Sequence, residues 1–374
     1  MRVVHIIKIV LTAGAERHLL QLLPGLAATG VDIHLIVLVE SDKPMDDFVA
    51  MAADGGIHVE RMVIRHHIDV SLLPRLTTRL RAIAPDLVHT HLLHADLYGT
   101  LAARYLHVPS VISRHNDNAF RYTPPMRLLN RGLWCLARGG IAISEAVRRF
   151  CIEVEGANPS KIHTIHYGLP ASELTQSEKV SARQNLLDTL GLPPQAFLFG
   201  TVSRLIEQKG LADAITAFHA IHSDYTNSYL LITGEGMLRN DLIAKVAALG
   251  LSDRVRFLGW REDARDIMAG LDVFLMPSLW EGFGLVLLEA MACRLPIIGT
   301  DVSAIPEIVL DEQTGLIVPP HSPDDLAGAM RRLAEDPQAR KRLGERGHQR
   351  LRTHFTEQKM AVHTQEFYRQ ILAH

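Results

Sequence analysis

The stretch Ser278-Leu-Trp-Glu-Gly-Phe-Gly-Leu-Val-Leu-Leu-Glu-Ala-Met-Ala292 follows the apolar run 273–276 and decides the predicted fold. The run is typical of a strand, Gly282 and Gly284 mark a turn, and the residues from Leu285 onward have helical spacing. This order places a helix N-terminus at the carboxyl edge of a strand, where unpaired backbone N–H groups and the helix dipole stabilise an anion. The sequence therefore predicts a phosphate site there.

Two carboxylates lie on either side of the predicted phosphate site. Glu281 precedes the helix and Glu289 lies about one and a half turns inside it. Carboxylates repel phosphate, but they accept hydrogen bonds from hydroxyl groups. A ligand with sugar hydroxyls on both sides of a phosphate fits this pattern, and a nucleotide sugar is such a ligand.

Glu281 and Glu289, with Gly-Phe-Gly between them, resemble the signature of the retaining glycosyltransferases of family 4. The resemblance implies the α/β GT-B fold, in which two Rossmann-like, doubly wound domains face each other across a cleft and a C-terminal helix crosses back to the first domain. It also implies that Glu289 binds ribose hydroxyls, that Glu281 binds a sugar hydroxyl, and that the backbone amides of Phe283, Gly284 and Leu285 meet the sugar or the phosphate.

A second match to this family is Arg204-Leu-Ile-Glu-Gln-Lys-Gly210, which follows the apolar run 197–203. Arginine offers a planar fork of donors to phosphate oxygens, and lysine offers a compact charge. Arg204 and Lys209 are therefore the predicted pair that stabilises a diphosphate leaving group. Because they can do so without a metal, we expect no metal cofactor.

Two residues of the amino-terminal half resemble family positions near the substrates. Gly14 follows the first predicted strand, in Ala-Gly-Ala-Glu16 where the family usually has paired glycines, and is expected to approach a donor phosphate or the acceptor. His115 follows the run 108–113, where the family places a histidine whose carbonyl or ring meets the donor sugar. A plain turn at Gly14 and a buried capping role for His115 are the alternatives. The family's usual Asn-Gly is Tyr167-Gly168 here, so no donor or hinge contact of an asparagine carries over.

Length and hydrophobic periodicity predict two domains. The chain has 374 residues, and strands alternate with helices in both halves, which is typical of doubly wound parallel sheets. We expect an acceptor-binding domain at 1–169, a linker at 170–194, a nucleotide-sugar-binding domain at 195–355, and a helix at 356–374 that packs back on the first domain.

A cluster of histidines suggests a metal site at first sight. His89, His91 and His94 lie close together, with Asp96 nearby. The strand is expected to end near His91, and no carboxylate has a familiar ligand spacing, so the sequence argues against a metal there.

Composition limits the partners and the compartment. The formal charge of −2 gives no general attraction to nucleic acid, no apolar run is long enough to span a membrane, and three cysteines without ligand spacing favour a reducing cytoplasm. The segment 114–149 combines arginines with aromatic and aliphatic residues. Such a segment can lie on an anionic membrane surface, which would place the protein at the inner face of the membrane, or it can be a solvated helix with a core-facing stripe.

The predicted function is retaining transfer of a sugar from a nucleotide diphosphate sugar, with UDP favoured and GDP allowed, to a saccharide or lipid-linked saccharide acceptor in surface polysaccharide or glycoconjugate synthesis. Front-face attack is favoured, and Glu281 is a weaker candidate for a covalent nucleophile. A sugar-nucleotide epimerase and a non-catalytic nucleotide-sugar sensor are the alternatives. A nicotinamide dehydrogenase is disfavoured, because Arg239 stands where G-x-G-x-x-G requires its third glycine.

Overall fold

The computed structural model describes residues 1–10, 14–66, 68–170 and 174–373. The chain divides into two compact units, which are residues 1–170 together with 355–374 (the first unit) and residues 171–354 (the second unit). Each unit contains one parallel β-sheet with flanking helices. The predicted α/β class with two parallel sheets is confirmed.

The first unit is built on a seven-stranded sheet of order β3-β2-β1-β4-β5-β6-β7. Its strands are β1 (Arg2–Lys8), β2 (Asp32–Glu40), β3 (His58–Ile64), β4 (Leu87–His91), β5 (Ser110–Arg114), β6 (Gly139–Ala142) and β7 (Ile162–Thr164). Its helices are α1 (Gly14–Ala28), α2 (Asp46–Asp54), α3 (Leu72–Ile83), α4 (Leu92–Tyr105), α5 (Pro124–Leu136), α6 (Glu145–Glu153) and, from the end of the chain, α15 (Glu357–Ala373). The sheet reverses its winding direction between β1 and β4, whose apolar residues are buried on both faces.

Helix α15 packs against α1 within the first unit. A Cβ on Gly25 would lie 3.0 Å from Cβ of Ala361, so the two helices approach closely where α1 has no side chain. The Gln365 amide donates a hydrogen bond of 3.0 Å to the Thr29 carbonyl. The last helix therefore forms part of the core of the first unit.

The second unit is built on a six-stranded sheet of order β10-β9-β8-β11-β12-β13. Its strands are β8 (Phe197–Val202), β9 (Ser228–Thr233), β10 (Val255–Gly259), β11 (Val273–Met276), β12 (Ile297–Thr300) and β13 (Leu316–Val318). Its helices are α7 (Gln176–Leu190), α8 (Leu211–His219), α9 (Arg239–Ala248), α10 (Ala264–Ala269), α11 (Leu285–Ala292), α12 (Ile305–Ile308), α13 (Pro323–Glu335) and α14 (Pro337–His354). Its core contains Phe199, Leu230, Ile232 and Leu275, and the winding direction reverses between β8 and β11.

The region expected as a linker, 170–194, contains helix α7. The Thr175 side chain accepts a hydrogen bond from the backbone N–H of Glu178, and the Glu178 carboxylate accepts one from the backbone N–H of Thr175. This capping box starts a helix that buries little besides Leu186 and Leu187. The region 170–194 is therefore polar because most of it is an exposed helix, and only the remainder is a connection.

The segment 114–149 is not one amphipathic helix. It contains the end of β5, helix α5, strand β6 and the start of α6. The guanidinium of Arg114 contacts the carboxylates of Asp96 at 2.8 Å and Glu155 at 2.9 Å, and that of Arg121 contacts Glu155 at 3.1 Å, all fully buried. These two arginines of the segment do not contribute to a basic surface, because they neutralise buried carboxylates. No helix in the described parts of the chain is both long and apolar enough to cross a membrane.

Candidate functional site

The predicted donor residues of the second unit follow strands β8 and β11. These strands are neighbours in the sheet, and the winding direction reverses between them. Loops that leave the carboxyl ends of two such strands diverge and open a crevice, which is where doubly wound sheets bind their ligands. The sequence separation of the two motifs is large, but the sheet brings them together.

Lys209 and Glu281 form an ion pair between the two loops. The Lys209 ammonium donates to Oε2 of Glu281, and both side chains are largely buried. The pair links one residue predicted to bind the diphosphate with one predicted to bind a sugar hydroxyl. Because the two charges neutralise each other, the pair by itself adds little net charge to the site.

Backbone contacts hold these loops in register. The Leu279 amide donates to the Gln208 carbonyl at 2.8 Å, and the Gln208 side-chain amide donates to the Trp280 carbonyl at 3.0 Å. Gly210 has a φ of +58°, and a Cβ there would lie 1.9 Å from the Pro277 carbonyl oxygen. Only glycine fits this contact. Sequence reasoning missed Gln208, since nothing in the motif indicates that its side chain joins the loops.

Arg204 supplies the uncompensated positive charge of the site. Its side chain is exposed, and its guanidinium has no ion-pair or hydrogen-bond partner within the described ranges. The next residue is fixed, because the Leu205 amide donates to the Glu235 carbonyl at 2.9 Å and the Leu205 carbonyl accepts from the Leu238 amide at 3.0 Å. The loop after β8 is thus held on both sides, while the Arg204 side chain stays available for an anion.

Helix α11 begins at Leu285, as the sequence predicts. Gly284 immediately before it has a φ of +92°, and a Cβ there would lie 2.9 Å from the terminal methyl of Met276. Phe283 is buried, which fixes the turn, and Glu289 lies half-buried on the helix. Arg204, the Lys209–Glu281 pair and the start of α11 therefore belong to loops at one sheet edge, and this arrangement can bind a phosphate group next to hydroxyl groups.

His115 lies in the first unit, directly after β5, and is 8% exposed. Its Nδ1 shares a hydrogen bond of 2.6 Å with the Tyr167 hydroxyl, and its Nε2 shares one of 2.9 Å with Nδ1 of His91. Burial lowers the pKa of His115 to about 3, so the ring is neutral at pH 7. Since both ring nitrogens have protein partners, the carbonyl is the better candidate for contact with a sugar. Tyr167, which replaces the family's asparagine, contacts the ring.

Gly14 is the first residue of α1, and nothing lies within 4 Å of a Cβ built on it. Residues 11–13 of the predicted loop lie outside the described residues. The close approach of Gly14 to a donor phosphate or an acceptor stays a prediction.

The histidine cluster differs from the set that the sequence suggested. Asp96 bonds to Thr90 and Arg114, whereas the buried side chains of His89 and His91 lie beside His5 of β1. One ring nitrogen from each of these three histidines lies within 4.8 Å of the others. His5 was missed because its pairing opposite His89 depends on strand register, which sequence does not supply.

Comparison with known proteins identifies the family. The family models described as Glycosyl transferases group 1 and Glycosyltransferase Family 4 match residues 183–350 and 12–173. Alpha-maltose-1-phosphate synthase of Mycobacterium tuberculosis is 30% identical over 318 residues, which cover 78% of this chain and 81% of that protein. The chain belongs to glycosyltransferase family 4. This confirms the predicted family and enzyme class.

Two further proteins extend the comparison over most of the chain. The Escherichia coli UDP-Gal:alpha-D-GlcNAc-diphosphoundecaprenol alpha-1,3-galactosyltransferase is 28% identical over 348 residues, which cover 90% of this chain and 88% of that protein. The crystal structure of Anabaena HepE in complex with UDP superposes with a TM-score of 0.86, at 21% identity, and the match covers 99% of this chain and all of that one. The second similarity supports the fold of this glycosyltransferase.

Proposed function

We propose that this glycosyltransferase transfers a sugar from a nucleotide diphosphate sugar, preferably a UDP-sugar, with retention of anomeric configuration. The observation that carries the proposal is the grouping of Arg204, the Lys209–Glu281 pair and the start of α11 on loops that leave neighbouring strands at the reversal of the second sheet. Nucleotide sugars present a diphosphate beside two sets of sugar hydroxyls, and this grouping offers cations and N–H groups beside two carboxylates.

In the proposed reaction, Arg204 binds the diphosphate through its guanidinium fork, and Lys209 turns from Glu281 toward the same oxygens as negative charge develops. Glu289 accepts hydrogen bonds from the ribose, and Glu281 accepts one from the transferred sugar. These fixed charges stabilise the departing diphosphate more than the bound donor, which lowers the barrier.

Bond changes in the proposed reaction are confined to donor and acceptor. The bond between the anomeric carbon and the diphosphate oxygen breaks, and the acceptor hydroxyl forms its bond on the same face. The acceptor proton passes to the departing phosphate oxygen, so no covalent sugar–enzyme intermediate is needed. Two cationic side chains and the helix N-terminus take the place of a metal ion in this scheme.

We infer a saccharide acceptor carried on a polyprenyl diphosphate, as part of polysaccharide assembly. The support is the name of the Escherichia coli relative, which includes UDP-Gal and a diphosphoundecaprenol-linked acceptor. The exposed side chains of Phe120, Tyr122 and Leu128, with Arg127 and Arg131 beside them on or next to α5, favour peripheral contact with an anionic membrane for such an acceptor.

A thermal-shift screen tests the donor class. The purified protein is heated with UDP, GDP, ADP and their sugars, and the same series is run on Arg204→Ala and Glu289→Ala. Ligand bound to the folded protein raises the unfolding temperature by mass action. We expect stabilisation by a uridine nucleotide that both substitutions weaken. Arg331→Ala, which removes a partly exposed arginine of α13 away from the β8 and β11 loops, serves as the control. A protein that no nucleotide stabilises would contradict the proposal.

The stereochemical proposal needs a separate measurement. Proton NMR of the first-formed sugar, from donor hydrolysis or from transfer, reports its anomeric configuration before mutarotation. Retention with no trapped sugar–enzyme adduct is expected, whereas an inverted product would exclude the same-face reaction.

A further inference from the structure

A row of side chains crosses the centre of the first sheet, and each member is hydrogen-bonded to the next. Four of the members are histidines, two are tyrosines and one is a serine. We call this row the histidine chain; in order, its members are Ser113, His89, Tyr368, His5, His91, His115 and Tyr167.

Strand register places these groups side by side. His5 of β1 lies opposite His89 of β4, and His91 of β4 lies opposite Ser113 of β5. Alternate residues of a strand share a face, so His89 and His91 point to the same side. Tyr368 of α15 reaches that side from the packed helix.

The links of the histidine chain are 2.5 to 3.2 Å long, all within hydrogen-bond distance. Nε2 of His89 lies 2.7 Å from Oγ of Ser113, and Nδ1 of His89 lies 2.5 Å from the Tyr368 hydroxyl. That hydroxyl lies 3.2 Å from Nε2 of His5, whose Nδ1 lies 3.0 Å from Nε2 of His91. Every member is buried.

The last two links reach the residue that the family resemblance places near the donor sugar. Nδ1 of His91 lies 2.9 Å from Nε2 of His115, and Nδ1 of His115 lies 2.6 Å from the Tyr167 hydroxyl. All four imidazoles therefore point Nε2 toward Ser113 and Nδ1 toward Tyr167.

This common orientation couples the four tautomers. A neutral imidazole donates through one nitrogen and accepts through the other, and each hydroxyl in the row donates to one neighbour while it accepts from the other. If one ring carries its hydrogen on Nδ1, every ring must do so, or one link loses its hydrogen. A single ring in the opposite state would leave a buried donor facing a donor, which is costly.

We propose that the histidine chain is one hydrogen-bonded unit in which all four neutral imidazoles carry their hydrogen on Nδ1, and that Tyr167 is the positioning residue that orients His115 through it. The direction is inferred at the Tyr167 end. Burial and, after it, the negative charge of Glu16 raise the pKa of the Tyr167 hydroxyl well above its ordinary value. A negative charge near a hydroxyl attracts its hydrogen, so we assign the hydrogen to the side of Glu16 and leave the oxygen to accept from His115. His115 then donates to the Tyr167 oxygen, and Ser113 donates to Nε2 of His89.

Neutral rings are consistent with the surroundings. Burial lowers the pKa of His5 to about 3 and the pKa values of His89 and His91 well below the ordinary histidine value. The face of Tyr167 is covered by the ring of His18, whose centroid lies 4.2 Å away. The ring of His18 thus covers the Tyr167 end of the histidine chain.

Nitrogen-15 NMR of histidine-labelled protein tests the proposal, because it distinguishes a ring nitrogen that carries hydrogen from one that does not. In the ligand-free protein at pH 7.5 we expect hydrogen on Nδ1 and a bare Nε2 at His5, His89, His91 and His115. Mixed tautomers among the four rings would overturn the proposal. So would one equivalent of copurified metal bound by His5, His89 and His91, since those nitrogens would then coordinate the ion.

Tyr167→Phe tests the coupling along the row. The substitution removes the hydroxyl that accepts the His115 Nδ1 hydrogen, so this buried N–H donor is left unpaired. If all four rings move their hydrogen to Nε2, the unpaired group at His115 Nδ1 becomes a lone pair instead. We expect the Nε2-protonated form to increase together at all four rings, including the distant His89. A change confined to His115, or no change at any ring, would contradict the coupling. Tyr98→Phe removes a buried hydroxyl that bonds to the Asp69 amide outside the chain, and it should alter none of the rings.

The positioning role of Tyr167 rests on the proposed function, whereas the existence of the histidine chain does not. Tyr167→Phe should lower kcat of the donor reaction while Tyr98→Phe leaves kcat unchanged, and an unchanged kcat for Tyr167→Phe would contradict the positioning role. The NMR result is obtained without donor, so a confirmed chain in a protein that binds no nucleotide would reject the proposed function alone.

Discussion

Acidification should unfold the first unit while carboxylates still have their charge. Five buried histidines of this unit, His5, His18, His89, His91 and His115, have pKa values lowered mainly by burial, to about 3 for His5 and His115. The unfolded chain binds protons at these sites near pH 6.5 and the folded chain does not. Above about pH 6.5 these histidines are neutral in both the folded and the unfolded chain and cost no stability. As the pH falls from 6.5 toward 3, they bind protons in the unfolded chain only, so the free energy of unfolding decreases.

The size of this effect follows from proton linkage. At pH 5.5, one histidine with an unfolded pKa of 6.5 and a much lower folded pKa costs about 1.4 kcal/mol, and five cost about 7 kcal/mol. Domains are typically stable by about 5–15 kcal/mol, so this loss is enough to unfold the first unit or to leave it marginal. Most carboxylates contribute little in this window, because their ordinary pKa values lie near 4. Asp96 is the exception: burial raises its pKa, and its protonation in the folded protein opposes the loss.

Urea titrations between pH 7.5 and 5.5 measure the loss. Trp134 is buried in the first unit and reports on it alone in a protein that carries Trp260→Phe and Trp280→Phe. The free energy of unfolding should fall by about 7 kcal/mol over this range. His18→Phe removes one of the five sites, and Nδ1 of His18 has no hydrogen-bond partner within the described residues, so the variant should lose about one fifth of the pH dependence. A free energy that is flat from pH 7.5 to 5.5 would refute the assignment of neutral buried rings.

Three further perturbations have defined outcomes. Arg114→Ala leaves the buried carboxylate of Glu155 without one of its two cations. The variant should lose about 3–5 kcal/mol of stability in the first unit, measured by urea titration. A loss below about 1 kcal/mol would contradict the buried network. Gly210→Ala should destabilise the second unit by clearly more than Gly191→Ala. Both glycines have a positive φ, but only at Gly210 does a carbonyl oxygen lie 1.9 Å from the added Cβ. Equal losses of about 1–2 kcal/mol would mean that only the backbone strain of a positive φ matters. Lys209→Met should lower the affinity for the nucleotide in calorimetric titration, because it removes one of the two cations predicted to bind the diphosphate; an unchanged affinity would contradict that role.

The sequence was sufficient to predict both sheets and the order of most elements. Apolar runs bounded by glycine and proline gave the strand at 273–276 and the start of the following helix at Leu285, in agreement with the structure. The strand β3 was not predicted, because its residues neither alternate regularly nor form a long apolar run, and it lies half-exposed at the edge of the sheet. Helix α7 was taken for part of a linker, because its surface is polar nearly all round.

The donor motif was predicted from local sequence, but its geometry was not. Sequence spacing suggested Lys209 and Glu281 as separate ligand groups, and the structure shows them as an ion pair, since β8 and β11 are neighbours in the sheet. The histidines show the same limit more strongly. His89 and His91 were noticed because they lie close together in sequence, whereas His5 and Tyr368 join them from elements distant in sequence, through register and helix packing.

The most direct test of the central claim is calorimetric titration of UDP into the wild-type protein and into Arg204→Ala, with Arg331→Ala as the matched control. If Arg204 binds the diphosphate, loss of its charge-assisted hydrogen bonds should weaken UDP binding by about 10- to 100-fold, while the control binds as the wild type does. Equal affinity of wild type and Arg204→Ala for UDP would contradict the assignment of the diphosphate to the β8–β11 loops of the second unit.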